Sequence, residues 1–358
     1  MKNILSILIF LLCAIILCDG CTDRYPIGPF LDSQNNSYLV GDTSYLEIYP
    51  PFQLGFNGPA AVLVGNDQLL YVADTRNNRV VLMDIAGGFL GSCHIDQPIS
   101  LAQDFRLDLL VGGTVSKHGN AVGALFRIHL VQALHHLDSA KVDTVWTESA
   151  HPQRRFVGIA TLPNNQYLAA RTGPDNSSGV DPDTRVMIFD VTDEYLTPIT
   201  DLITGTGSGI NYINHLTGIA ALPNSRNFIV LQKGYPEMAY GALWMLYSQS
   251  SDFEGWQPKF DPSSPKDALV DFIRRRLISP GGVAIDGKRL DVFITDAVQD
   301  SVFKFNSKGI FKAASFGRYW TNNRMKSPTG AAFFDKTLYI ADSTANCIFR
   351  FKLSTDFQ

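Results

Sequence analysis

An all-β, six-bladed propeller is the fold class that the sequence predicts. One β-hairpin phrase recurs six times along the 358 residues, starting at Pro59, Pro98, Phe156, Leu216, Pro280 and Pro328. Each copy is bounded by turn residues and carries almost no helical periodicity. Repeats of tens of residues that each hold one supersecondary unit mark solenoids and propellers, and short strands between turn signals mark an all-β repeat.

The first element of each copy is a small-residue strand such as Pro59-Ala60-Ala61-Val62 or Pro280-Gly281-Gly282-Val283. Small side chains suit strands that converge on a crowded axis. A turn with Asn or Asp follows: Asn66-Asp67, Asp104, Asn164-Asn165, Asn224, Asp286-Gly287 and Asp335. These residues tolerate tight-turn angles and bond their own backbone. Next comes an apolar strand, as in Leu70-Tyr71-Val72-Ala73-Asp74, then a loop and an alternating strand, as in Arg79–Asp84. An outer strand is expected at Gly88–Leu90, Val142–Trp146, Ile199–Ile203, Ala268–Phe272 and Gly309–Ala313. At Ala268–Phe272 the repeat register outweighs a helix-like start at Ser264-Pro265.

The sixth copy has no outer segment before Gln358, whereas Tyr45–Tyr49 precedes the first copy. Unpaired strand edges invite aggregation, so the early strand is expected to complete the last blade. The propeller domain then spans residues 44–358.

The two end copies and the fifth resemble NHL repeats. They share Pro-x-Gly (Pro280-Gly281-Gly282, Pro328-Thr329-Gly330), then Tyr71-Val72-Ala73-Asp74, then Asn77-x-Arg79-Val80 in the best copy. The resemblance covers about residues 44–353 and implies an NHL or TolB-like six-bladed propeller. It implies no single activity, because a fold does not fix a function.

Composition narrows the partners. Net charge is −4, and Arg274-Arg275-Arg276 is the only basic cluster, which argues against nucleic acid. Lys2 followed by the apolar run Ile4–Leu17 reads as a signal peptide over residues 1–20. Gly20-Cys21 resembles a bacterial lipoprotein signal, which implies lipidation of Cys21, a tether over 21–43 and a membrane-anchored place in the cell envelope. Plain secretion to the periplasm or beyond is the alternative. Cys93 and Cys347 fall in the first and last copies, which a ring brings together as a disulfide or as buried thiols.

Function is expected where the loops leading into the inner strands share a face with the loops between second and third strands. Blades two to four supply Arg154, Arg155, Arg171, His215, Asp96 and Asn214 as candidate ligand-binding residues. The three arginines with Lys117 and Lys326 outweigh Asp96, Asp175 and Glu237, so a protein, peptide or small anionic ligand is expected at the channel mouth. Local ion pairing of these arginines with those acids is the competing reading. His118, His151 and His215 are the candidate metal ligands. Three histidines suit zinc with an open position, as in the propeller lyases that cleave α-hydroxyglycine. Calcium-dependent lactonase propellers need carboxylates or amides, and Asn57, Asp96 and Asn214 are a thin set for calcium. Asp74, Asp296 and Asp342 recur at one repeat position and are expected to cap the following loop. No nucleophile, phosphate-loop or dinucleotide motif is present. The chain therefore reads as a binding or interaction scaffold, the alternative being a metal-dependent lyase or hydrolase that uses zinc or calcium.

Overall fold

A computed structural model describes residues 44–205, 210–233, 240–312, 316 and 325–356. The chain divides into Met1–Asp42 and Thr43–Gln358; the described residues all belong to the second unit. The signal-peptide and tether readings, including Cys21, lie outside them.

The second unit is a six-bladed β-propeller. Blade one holds β2 (Pro59–Val64), β3 (Leu70–Asp74), β4 (Arg79–Met83) and β5 (Phe89–His94). Blade two holds β6 (Asp96–Gln103), β7 (Leu109–Lys117), β8 (Asn120–Ile128) and β9 (Val142–Thr147). Blade three holds β10 (Arg155–Thr161), β11 (Tyr167–Thr172), β12 (Arg185–Phe189) and β13 (Tyr195–Pro198). A short parallel pair, β14 (Ile203–Thr204) and β15 (Tyr212–Ile213), leads to blade four. That blade holds β16 (Leu216–Ala221), β17 (Phe228–Gln232), β18 (Ala242–Gln249) and β19 (Glu254–Pro258). One helical turn, α1 (Asp271–Arg274), precedes blade five: β20 (Pro280–Ile285), β21 (Val292–Asp296) and β22 (Ser301–Phe305). Blade six holds β23 (Pro328–Phe334), β24 (Thr337–Asp342) and β25 (Cys347–Leu353), and β1 (Tyr45–Glu47) completes it.

The closure is the one expected. Tyr45, Leu46 and Glu47 pair antiparallel with Leu353, Lys352 and Phe351, which removes the free edge of the last blade.

Six apolar clusters hold the ring, one at each interface between neighbouring blades. Every blade is therefore covered on both faces. This explains why the second strands are continuous apolar runs: all five residues of Leu70–Asp74 and of Phe228–Gln232 are buried. Strands buried on two faces lose the apolar/polar alternation of half-exposed ones.

The inner strands approach one another through residues with little or no side chain. A Cβ on Gly218 would lie 2.4 Å from the carbonyl oxygen of Gly281 in the next blade. One on Gly330 would lie 2.8 Å from Ala61 Cα, and one on Gly158 2.7 Å from Ile219 N. At this level each inner hairpin carries a register shift, as between Pro59 and Ala61 or Leu216 and Gly218. Gly218→Ala is expected to destabilise the domain by about 1–3 kcal/mol, because the contact is with backbone that cannot step aside. A denaturation midpoint equal to wild type would contradict that.

Two outer strands differ from expectation. In blade three the outer strand is Tyr195–Pro198, not Ile199–Ile203, and in blade four it is Glu254–Pro258, not Ala268–Phe272. In both, the short hairpin connection takes the pairing edge first. Ile199 and Leu202 then fill the interface between blades three and four. Phe272, on α1, packs against Trp244 and Phe305 between blades four and five. In blade five the expected outer segment pairs with β22 and its turn through the Phe305–Phe311 bridge and the bonds from Lys312 N–H to the Lys304 carbonyl and from Asn306 N–H to the Ile310 carbonyl; Ala313 lies outside the described residues.

Candidate functional site

Strand polarity defines two faces. Inner strands start where second strands end, since Pro59 pairs with Asp74 and Pro328 with Asp342. The loops leading into the inner strands and those after the second strands thus share one face, here called upper. The lower face carries the turns at Asn66, Phe105 and Asn224.

One register position on the upper face organises all six blades. The inner-strand residue just before the register shift pairs there with Asp74, Thr114, Arg171, Gln232, Asp296 or Asp342, in blade order. Every one of these is buried. Asp296 accepts N–H bonds from Ile278 and Ser279 in the preceding loop and from Val298 and Gln299 in the following one. Asp342 does the same with Lys326, Ser327, Thr344 and Ala345. Asp74 takes Asn57 N, Asn77 Nδ2 and Arg79 Nε. Asp296 and Asp342 cap the following segment, as expected, and also tie it to the loop before the blade; Asp74 ties in the preceding loop but holds the following one through the side chains of Asn77 and Arg79 rather than through backbone N–H groups. Gln232 plays the corresponding part in blade four, accepting from Asn214 N and donating to the carbonyls of Tyr212 and Tyr240.

Arg171 is the blade-three occupant of that position, which changes its meaning. It is 3% exposed, and Arg154 2%. Arg171 donates to Glu148 Oε1 at 3.0 Å, Asp181 Oδ1 at 2.6 Å and the carbonyls of Pro182 and Asp183. Arg154 donates to Asp183 Oδ1 at 2.6 Å, Glu148 Oε2 at 3.1 Å, and both Oδ2 and the carbonyl of Asp181. The two guanidiniums clamp the loop between β11 and β12. Their fork geometry is spent on protein acceptors, so the expectation that they receive an incoming carboxylate does not match where they sit. Ion pairing is what occurs, with Glu148, Asp181 and Asp183 rather than with Asp96 or Asp175. Burial pushes the Asp181 carboxyl up, yet the hydrogen bonds from Arg171 and Arg154 overcome this and hold it at about 2.

Arg155 differs from both. It is half-buried and donates only to the carbonyls of Pro152, Arg154 and Ala121, and burial pulls its pKa down. Asp96, at the start of β6, faces His94 Nε2 at 3.0 Å. Asn214 is buried and accepts from Asn176 Nδ2 at 2.8 Å, joining the blade-four lead-in to the blade-three loop. Lys117 donates to Thr147 Oγ1, and Lys326 is exposed. Glu237 lies outside the described residues.

The three histidines do not assemble. His118, with φ +49, and Gly119, with φ +79, form the two-residue tip of the β7–β8 hairpin, a turn that favours left-handed backbone. His151 sits in the exposed turn between Glu148 and Arg154. His215, φ +46, lies in the blade-four lead-in, its carbonyl accepting Lys233 N–H. Among the described residues no three His, Cys, Asp or Glu side chains gather closely enough to hold a metal. The three-histidine zinc set is therefore not what the loops build. Cys93 is a free thiol on β5, pushed up to about 12 by burial.

Sequence reading expected a site at the channel mouth but did not foresee the character of the channel wall. Inner strands from all six blades enclose about 750 Å³ along the axis. Among the described residues lining it, none is charged or a histidine. Polar groups occur toward its ends: the hydroxyls of Thr217, Ser279 and Thr329 near the upper face, and the amides of Asn66, Gln103 and Asn224 near the lower. The Ala- and Gly-rich inner strands were its signal.

No family model matches the chain, and no curated protein matches it. Solved structures do resemble it. A gluconolactonase from Xanthomonas campestris aligns with a TM-score of 0.56 and 12% identity, covering 87% of this chain and 90% of that one. The aldose sugar dehydrogenase of Streptomyces coelicolor, in its PQQ-bound form, gives 0.57 and 13%, covering 87% and 99%. An auxiliary nutrient binding protein from Bacteroides thetaiotaomicron gives 0.55 and 12%, covering 84% and 70%. At such identities the likeness is one of fold, and these neighbours differ in activity. The chain is thus a six-bladed β-propeller whose structural neighbours include both enzymes and a binding protein.

Proposed function

We propose that this chain is a non-catalytic binding scaffold of the cell envelope, exported and held at a membrane by lipid on Cys21, that engages its partner through the upper face. The observation that carries the reading is the uncharged lining of the channel. A general acid or base must stand within hydrogen-bond reach of the reacting atom, and a calcium site needs several oxygen ligands, usually with carboxylates among them. Among the described residues the lining offers hydroxyls and amides but no titratable acid, base or thiol. On the rim, Arg155, Lys117 and Lys326 are cations not matched to a carboxylate among the described residues, and they would meet an acidic group of a protein, peptide or small anionic ligand.

Two measurements test this. Mass spectrometry of the mature N-terminus is expected to find Cys21 as the lipid-modified first residue; a free N-terminus beyond it rules out the anchor. Elemental analysis and a hydrolysis assay on glucono-δ-lactone, with zinc or calcium supplied, are expected to show no stoichiometric metal and no turnover above buffer. Stoichiometric metal together with turnover makes the protein a metal-dependent hydrolase instead.

A further inference from the structure

We infer that the axial channel is itself a binding site, selective for a neutral small molecule. The inference goes beyond the scaffold reading, which places an acidic partner on the rim, and assigns the channel a separate ligand; its test is independent of the anchor, metal and lactone measurements.

Size comes first. About 750 Å³ is enclosed by the six inner strands, within the roughly 300–1,000 Å³ of pockets that take small molecules. Each blade contributes a half-buried apolar side chain or methyl group: Leu63, Ile99, Val157, Ala220, Ile285 and Phe333. Apolar ligand surface moved there from water is stabilised in proportion to its area.

Charge decides the class. An ion entering the channel loses hydration and finds no opposite charge among the described lining residues. Burying an ion without a partner is strongly unfavourable, whereas a neutral ligand escapes that cost. The cations that the sequence places near the mouth do not offset it. Arg154 and Arg171 are engaged with Glu148, Asp181 and Asp183, and none of the three arginines lines the channel.

Orientation follows from where the polar groups lie. Ser100 Oγ and Thr329 Oγ1 donate to carbonyls of the next blade, Phe156 O at 2.8 Å and Pro59 O at 3.1 Å. Thr217 Oγ1 is buried and takes no hydrogen bond among the described residues. A buried hydroxyl left in that state is uncommon and calls for a partner. A single hydroxyl or carbonyl on the ligand, directed toward blade four near the upper end, would supply one after a turn of the threonine side chain.

The test uses a matched pair of probes, 1-adamantanol and adamantane-1-carboxylate, titrated calorimetrically into the full mature chain. The alcohol is expected to bind saturably at one per chain and at least tenfold more tightly than the carboxylate. Ala60→Phe and Ile99→Trp narrow the channel at two different blades. Either is expected to cut binding of the alcohol at least tenfold, and whichever variant keeps the wild-type circular dichroism and melting profile is the one read. If neither does, competition between the alcohol and pressurised xenon located in the channel by crystallography takes their place. Leu134→Ser, which removes an 80% exposed side chain outside the channel, is expected to leave binding unchanged. The inference is overturned by the absence of saturable binding of the alcohol, by equal affinities for the two probes, or by loss of binding in Leu134→Ser alone.

Discussion

Asp296→Ala is expected to lower the stability of the propeller by about 3–5 kcal/mol, since each buried donor left without an acceptor costs roughly 1–3 kcal/mol. The carboxylate is wholly buried and collects four backbone N–H groups, from Ile278, Ser279, Val298 and Gln299, with Gln299 Nε2 as a fifth donor. Alanine leaves these buried donors without an acceptor. Asp296→Asn keeps one carbonyl acceptor and places an NH₂ group against donors, so its loss should be smaller but of the same sign. The corresponding change at Asp342 should behave alike, because its acceptor pattern is the same. Chemical denaturation followed by tryptophan fluorescence measures the effect. A loss below about 1 kcal/mol, the worth of one ordinary hydrogen bond, would show that the aspartate does not hold the two loops.

Glu148→Ala carries the second large effect. Glu148 is buried, takes Arg154 and Arg171 on its two oxygens, and accepts Trp146 Nε1 at 2.9 Å. Breaking a buried ion pair by removing one partner typically costs about 3–5 kcal/mol, because the other charge stays buried. The cost should not add to that of Arg171→Ala: in the double variant the penalty of an unmatched arginine is already relieved, and a cycle of single and double variants reads the coupling. Additive losses would mean that the cluster is not one unit. Asp181 adds a pH signature. Its carboxyl sits at about 2 in the folded chain against an ordinary 3.8. A lowered folded pKa gives stabilisation that is complete above the unfolded value and disappears as pH falls through the folded one. The clamp should therefore be intact above about pH 4 and weaken between there and about pH 2. Asp181→Asn should flatten that part of the stability curve, while wild type and variant converge at the acid end.

Much of the architecture was legible because it is local and repeated. The hairpin phrase fixed six blades, and the unmatched strand at Tyr45 fixed how the ring closes, since a strand edge must find a partner wherever it lies in the chain. The outer strands of blades three and four were misplaced because apolar segments such as Ile199–Ile203 and Ala268–Phe272 serve equally well as strand or as filling between blades. A hairpin as short as Asp190–Glu194 settles the choice only once the sheets exist.

The candidate site was less legible, for a different physical reason. Sequence by itself determined that Arg154, Arg155 and Arg171 lie on the face of the lead-in loops, and that Asp74, Asp296 and Asp342 share one structural task. It could not determine that Arg171 occupies the register position of those aspartates with its charge reversed, because a solvated arginine and a buried one carry the same letter. Only the tertiary structure brought Glu148, Asp181 and Asp183 from separate segments onto the two guanidiniums, turned His118 into a hairpin tip, and left the axial channel lined by uncharged side chains. Repeat period and strand pattern are set by neighbours a few residues away. The charge state of a site is set by which distant loops the closed ring forces into contact.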